Sequence, residues 1–230
     1  ADWIPSGLGV EVEGGEIKGA VELSTVEEAL DFIGGLNAWG VFPDYLAISN
    51  GSLHGTYDPA AGQVEGIDLA RTVEIADAIA PYGVSIAQHG ISGTPLDKVG
   101  TFRNYGIRKG NVATLFQNVI FGLKMDPATG NAVIQDGSYV KEPGRGIPTD
   151  LWNQIVAWCD AKGYGRKSGD YKKANLPFHD PILDLPPSVQ EPIVEEIAWW
   201  AERFLVAFGA AGTAERVMEI VARRPDHNAA

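Results

Sequence analysis

Two histidines stand in matched surroundings in this chain. The first closes Tyr45-Leu-Ala-Ile-Ser-Asn-Gly-Ser-Leu-His54-Gly55, and the second closes Val84-Ser-Ile-Ala-Gln-His89-Gly90. Each follows a short apolar run that reads as a strand, and each is followed at once by glycine. A carboxylate joins them. Glu13 ends the alternating segment Gly9-Val-Glu-Val-Glu-Gly14, in which Glu11 and Glu13 point to one face. Two imidazoles and a carboxylate delivered from separate strand ends suit Zn2+ or another divalent cation. For either histidine alone, a polar strand-end residue bonded to backbone is the plainer reading.

The turn after His89, Gly90-Ile-Ser-Gly-Thr-Pro95, has the composition of an anion site. Backbone N–H groups in such a turn point outward, and glycine lets a phosphate approach closely. Gly90, Ser92 and Gly93 are the candidate contacts. Asn111 and Thr114 follow the next strand and are placed to complete them. An ordinary tight turn uses the same residues, and both readings stand. His179 and His227 are expected in a loop and in a solvated tail. Cys159 lies in an apolar helical pattern and reads as a buried structural thiol. The Trp199-Trp200 pair reads as helix packing or a subunit contact.

The elements that must position these residues alternate. Strands are expected at Gly9–Gly14, Asp44–Ser49, Val84–Gln88 and Gly106–Val112. Helices are expected from Thr25 to Ile33, Asp68 to Ala80, Thr94 to Tyr105 and Thr114 to Lys124. Thr25-Val-Glu-Glu28 is a capping box. Such alternation means parallel strands with right-handed crossovers, hence an α/β fold. Four βα units are half of a (β/α)8 TIM barrel, which takes roughly 250 residues in full.

Beyond Lys124 the pattern changes. Residues 125–148 and 163–187 read as loops around a helix from Thr149 to Ala161. A second capping box, Ser188-Val-Gln-Glu191, opens a long amphipathic helix to about Phe208, and a last helix spans Thr213 to Ala222. The organisation expected is the C-terminal half of a barrel over residues 1–124. A C-terminal helical extension over 125–230 would pack on the barrel or on a neighbouring subunit. The aromatic face of the long helix fits oligomerisation and intrachain packing equally.

Composition narrows the function classes. The chain has 230 residues, 45% of them hydrophobic, which is enough for one sizeable core. A net charge of -12 argues against nucleic-acid and anionic-membrane surfaces. No apolar run approaches the roughly 20 residues that span a bilayer. The start Ala1-Asp-Trp-Ile-Pro lacks the basic region of a signal peptide, and one cysteine excludes a disulfide framework. A cytoplasmic protein is the expectation.

Four segments resemble the metal-dependent, class II fructose-bisphosphate aldolase family in order and spacing. They are Val10-Glu-Val-Glu13-Gly, Gly51-Ser-Leu-His54-Gly55-Thr-Tyr57, His89-Gly-Ile-Ser-Gly-Thr94 and Asn111-Val-Ala-Thr114. The resemblance covers roughly residues 8 to 118. It implies a TIM-barrel lyase of glycolysis and related carbohydrate metabolism, cleaving a phosphorylated ketose to dihydroxyacetone phosphate and an aldehyde. It implies His54 and His89 as two of three zinc ligands and Glu13 as the carboxylate of a second or alternative metal position. Gly55, Gly90, Ser92 and Thr114 become phosphate contacts, and Asn111 a contact to the ketone end.

The family's third histidine and adjacent catalytic aspartate come from the first half of the barrel and have no counterpart here. A catalytic acid is therefore expected on a partner segment or chain carrying the N-terminal half-barrel. Other departures are Ala20-Val21-Glu22 in place of an acidic pair, Asp58 in place of a basic residue and Ala113 in place of an aspartate. Ile182-Leu-Asp-Leu-Pro-Pro187 stands where a phosphate-gripping arginine is expected. These departures leave a second reading open, a non-catalytic sugar-phosphate-binding or structural subunit. A different metal-assisted reaction on a sugar phosphate is a third, weaker reading.

Overall fold

Four short parallel strands form the central sheet in the computed structural model of the chain. The structure describes residues 9–14, 23–58, 60, 62, 66–166 and 169–222. The expectations placed on Ala1–Pro5, Ala20–Glu22, His227 and the tail fall outside these residues. Strands β1 (Glu11–Glu13), β2 (Tyr45–Ala47), β3 (Ser85–Gln88) and β4 (Ile107–Gly110) pair in that order. Glu13 lies opposite Ala47, Ala47 opposite Ala87, and Gln88 opposite Gly110, so the C-terminal strand ends lie level. A register shift between Ile86 and Ala87 marks a bulge in the β3–β4 pair. Such an irregularity re-aims the residues that follow it.

Helices connect the strands. α1 (Val26–Ala38) is started by the capping box read from the sequence. Thr25 Oγ1 accepts the Glu28 N–H, and Glu28 returns a carboxylate oxygen to the Thr25 N–H at 2.9 Å. α1 runs past Ile33 to Ala38 and takes in Gly34 and Gly35, where an added Cβ would meet only open space. α2 (Leu69–Ile79) starts at Asp68, whose carboxylate accepts the Arg71 N–H at 2.9 Å. α3 (Leu96–Thr101) tightens into a 3-10 turn over Phe102–Tyr105, so the expected helix is realised in two geometries. α4 (Thr114–Phe121) follows β4.

Burying Ile33, Ile75, Ile79 and Ile86 completely between sheet and helices contributes about 1.5–3 kcal/mol each. In β3, Ile86, Ala87 and Gln88 are buried, so both faces are covered, as expected of a parallel strand packed under helices.

The region after α4 holds more structure than expected. Residues 125–148 contain the hairpin β5 (Ile134–Gln135) and β6 (Ser138–Tyr139). After α5 (Thr149–Ala161), residues 163–187 contain a 3-10 segment, Gly169–Asn175, and a short helix α6 (His179–Leu183). Phe121, Leu123, Ile147, Trp152, Ile155, Cys159 and Tyr171 belong to a second apolar cluster there.

The long helix α7 (Pro187–Ala207) starts one residue before the second capping box. No side chain caps it, because Pro186 and Pro187 occupy its entry and Pro presets the first-turn φ. Its Ile193, Trp200 and Phe204 join the main core, and Phe208 just beyond lies over Gly110 of β4. Trp200 is thus core packing, while Trp199 is 47% exposed with Arg203 stacked 4.5 Å from its ring centroid. α8 (Ala214–Ala222) buries none of its residues.

Candidate metal centre

The strand ends collect three donors. Glu13 ends β1, His89 follows β3, and His54 sits on the loop after β2 rather than at the strand terminus. Their ligand atoms all lie within 4.8 Å of one another, and the imidazole centroids are 5.6 Å apart and nearly perpendicular. Bonds of about 2.0–2.2 Å place the donors of one tetrahedral ion about 3.3–3.5 Å apart, so small rotations close this set.

The two His-Gly motifs are brought together by backbone contact. A Cβ on Gly90 would stand 2.6 Å from the Leu53 carbonyl oxygen and 2.9 Å from Ser52 Cβ, and its φ is +65°. Only glycine lets the turn after His89 lie against the loop carrying His54. Gly93, at φ +88°, lies 2.8 Å by the same measure from the Tyr57 ring. Both glycines therefore have a packing role independent of any anion.

A buried polar cluster ties the same two loops from beneath. Asn50 Nδ2 donates to Gln88 Oε1 at 2.7 Å and to Thr72 Oγ1 at 2.9 Å. Gln88 Nε2 donates to Asn50 Oδ1 at 3.1 Å and to the His89 carbonyl at 2.8 Å. All three side chains are 0–1% exposed. The His89 backbone is thereby fixed to the chain that leads to His54.

His89 is also held from the side by Glu11, which sequence reasoning did not place in the site. Glu11 Oε1 lies 2.7 Å from His89 Nε2 and 3.2 Å from Asn111 Nδ2. Glu11 Oε2 pairs with Lys109 Nζ at 2.7 Å, and Lys109 also donates to Asn111 Oδ1. The shared face of Glu11 and Glu13 was legible in the alternation of β1. The long-range partners were not. Burial works to raise the Glu11 carboxyl, and the hydrogen bonds and charges of Lys109 and His89 outweigh it, so its pKa is lowered. Burial lowers His54, and the charges of His89 and Lys172 lower it further against an opposing Glu13. His54 is thus biased toward the neutral imidazole that metal ligation requires.

The remaining expected contacts divide. His54, Gly55 and Thr114 line one cleft of about 480 Å³ with Ala113, Gln117 and Lys172. Lys172, on the 3-10 segment, is a second residue the sequence reading missed, since that stretch read as loop. Gly90, Ser92 and Gly93 do not line this cleft. Ser92 is buried, and its Oγ accepts the Leu115 N–H at 3.0 Å, joining the turn to α4. Asn111 is engaged with Glu11, His89 and Lys109.

Asp58 is buried, and its carboxylate accepts the Ala60 N–H at 3.1 Å. His179 opens α6, where it is exposed beside Asp180. Cys159 is fully buried, and burial first, then Asp160 and Asp170, push its thiol up to about 11.

A family profile for class-II fructose-bisphosphate aldolase matches residues 4–163. Among solved structures, a Coccidioides immitis protein assigned as a fructose-1,6-biphosphate aldolase is similar at 20% identity and a TM-score of 0.50. The match covers 91% of this chain and 55% of that one. A fructose-bisphosphate aldolase from Campylobacter jejuni matches at 17% identity and a TM-score of 0.35, over 76% and 51% of the two chains. The chain thus spans about half the length of the solved structures it matches. No curated protein matches it significantly.

Proposed function

Because the chain belongs to the class-II fructose-bisphosphate aldolase family, we propose that it is the ion-carrying half of a metal-dependent aldol-cleaving enzyme. The substrate is a phosphorylated ketose, and the products are dihydroxyacetone phosphate and an aldehyde. The observation that carries this reading is the convergence of Glu13, His54 and His89 at the level strand ends. The donor set fits a divalent ion such as Zn2+: two nitrogens, one carboxylate oxygen, and an environment that lowers the His54 pKa, chiefly through burial. When bound, such an ion polarises a ketone and stabilises the negative charge that develops on its oxygen, so no Schiff-base lysine is needed.

The chain's own residues do the rest of the work assigned to this half. His54 and His89 present the ring nitrogens, and Glu13 adds the charged oxygen. Gly55, Thr114 and Lys172 line the cleft beside His54, where a phosphate group meets backbone and one ammonium. Gly90, Ser92 and Gly93 do not line that cleft; their turn packs against the loop carrying His54 and against α4. Asn111 stands beside His89, within reach of a substrate oxygen that approaches the ion.

The catalytic acid is assigned to a segment carrying the N-terminal half-barrel. In support, β1 and β4 each have one neighbour among the described residues, so both outer edges remain to be paired. The sheet is read as half of a (β/α)8 barrel on the same ground. Proton exchange on dihydroxyacetone phosphate tests the reading. Zn2+-dependent exchange that disappears in His89→Ala is expected, and exchange that persists unchanged in that variant overturns it.

Ala113 favours the second reading, a sugar-phosphate-binding subunit without chemistry, because no carboxylate stands at the start of α4 facing the cleft. Phosphate binding without exchange, in the presence of the completing segment, would select it.

A further inference from the structure

We infer that Glu11 is a positioning residue that fixes the tautomer of His89 and thereby selects Nδ1 as the atom offered to the ion. The inference takes from the proposed function only that His89 is a ligand; the tautomer itself stands on hydrogen-bond geometry alone.

The Lys109 ammonium is a donor only. It contacts Glu11 Oε2 at 2.7 Å and Asn111 Oδ1. Asn111 must therefore present its carbonyl oxygen to Lys109 and its amide nitrogen to the other side. That nitrogen donates to Glu11 Oε1 at 3.2 Å. Glu11, ion-paired through its other oxygen, accepts only. His89 Nε2 lies 2.7 Å from the same Oε1.

If Nε2 carried no hydrogen, two lone pairs would face each other at that distance. With hydrogen on Nε2, the contact is a short, charge-assisted bond. The 2.9 Å between Asn111 Nδ2 and His89 Nε2 then follows from two donors converging on one carboxylate oxygen. In a neutral ring with hydrogen on Nε2, the lone pair is on Nδ1, and that is the nitrogen left for coordination.

The arrangement has a chemical consequence. A carboxylate accepting the far N–H of a ligating imidazole raises its basicity and holds its ring orientation. Lys109 neutralises that carboxylate, so the ion's own charge is met by Glu13 and not by Glu11 as well. Glu11 and Glu13 share a strand face and divide two tasks: one holds a ligand, the other is a ligand.

Two measurements on the full chain test this. Long-range 1H–15N spectra of the metal-free protein near neutral pH report which ring nitrogen of His89 is protonated; the Nε2–H form is expected. The Nδ1–H form in the unmodified protein would overturn the proposal without any variant. Zn2+ affinity, measured by competition with a chromophoric chelator, is expected to fall about 10–100-fold in Glu11→Ala. His89 is expected to populate both tautomers in that variant. Unchanged affinity together with an unchanged tautomer would equally overturn it. A wild-type chain that binds no Zn2+ would sink the proposed function while leaving the tautomer measurable, so the two failures are distinguishable.

Discussion

At the residue scale, the site depends on buried polar groups that pair with one another. Asn50, Thr72 and Gln88 are removed from water and satisfy one another. A buried group left unpaired costs about 1–3 kcal/mol, so Asn50→Ala is expected to lower stability by about 2–4 kcal/mol. Urea unfolding of the metal-free protein checks this; a loss under about 0.5 kcal/mol would contradict it. The charged residues give a pH dependence of definite sign. His54 has a lowered folded pKa, so its contribution is complete above the ordinary imidazole value of about 6.5. It is lost as pH falls below that value, because the unfolded chain takes the proton first. Glu11 is also lowered, and its contribution is lost only at more acid pH, below the ordinary carboxylate range. The melting temperature of the metal-free chain is expected to decline between pH 7 and pH 5, with a shallower slope in His54→Asn.

At the element scale, two loops must touch for the histidines to meet. Gly90→Ala places a Cβ 2.6 Å from the Leu53 carbonyl oxygen at φ +65°. It is expected to cost about 1–3 kcal/mol and to weaken Zn2+ binding as well, because the His54 loop must retreat. Gly83→Ala is the control. Gly83 has φ +76° and open space around it, so strain alone should appear and Zn2+ binding should not change. Calorimetry and metal titration of both variants separate the effects. α7 makes a second test: Trp200→Ala removes a nearly buried ring from the main core and is expected to cost about 3–5 kcal/mol in urea unfolding.

This scale also explains what was legible in the sequence. Thr25-Val-Glu-Glu28 marks the start of α1, the apolar spacing of α2 and α5 carries its own signal, and the alternation around Glu11 and Glu13 marks β1. Ser188-Val-Gln-Glu191 matched the same capping pattern, but Pro186 and Pro187 begin α7 one residue earlier. The β5–β6 hairpin left no periodicity, since its strands are two residues long and set by long-range bonds such as Lys124 N–H to the Val140 carbonyl. Glu13 at a strand end and His89 just past one were legible from the alternation of strands and helices, whereas His54, read at a strand end, lies on the loop after β2. Lys109 and Asn111 meet Glu11 across the sheet, and no local pattern encodes that.

At the scale of the whole molecule, the sheet is open on both sides among the described residues, and the chain covers 55% of the Coccidioides immitis structure it resembles. No described helix is long and apolar enough to cross a membrane. The half-barrel proposal expects a native mass above the 24.6 kDa of these 230 residues, the excess carrying the N-terminal half-barrel on the same chain or on a second one. A lone 24.6 kDa species, or an assembly of identical copies, would instead favour the binding role.

The claim underlying all of this is that Glu13, His54 and His89 form one metal centre. Equilibrium Zn2+ titration of the purified chain beside a His54→Ala/His89→Ala double variant tests it most directly. One equivalent bound by the wild type and none by the double variant is the predicted result. Equal binding by both, or no binding by the wild type, would contradict it.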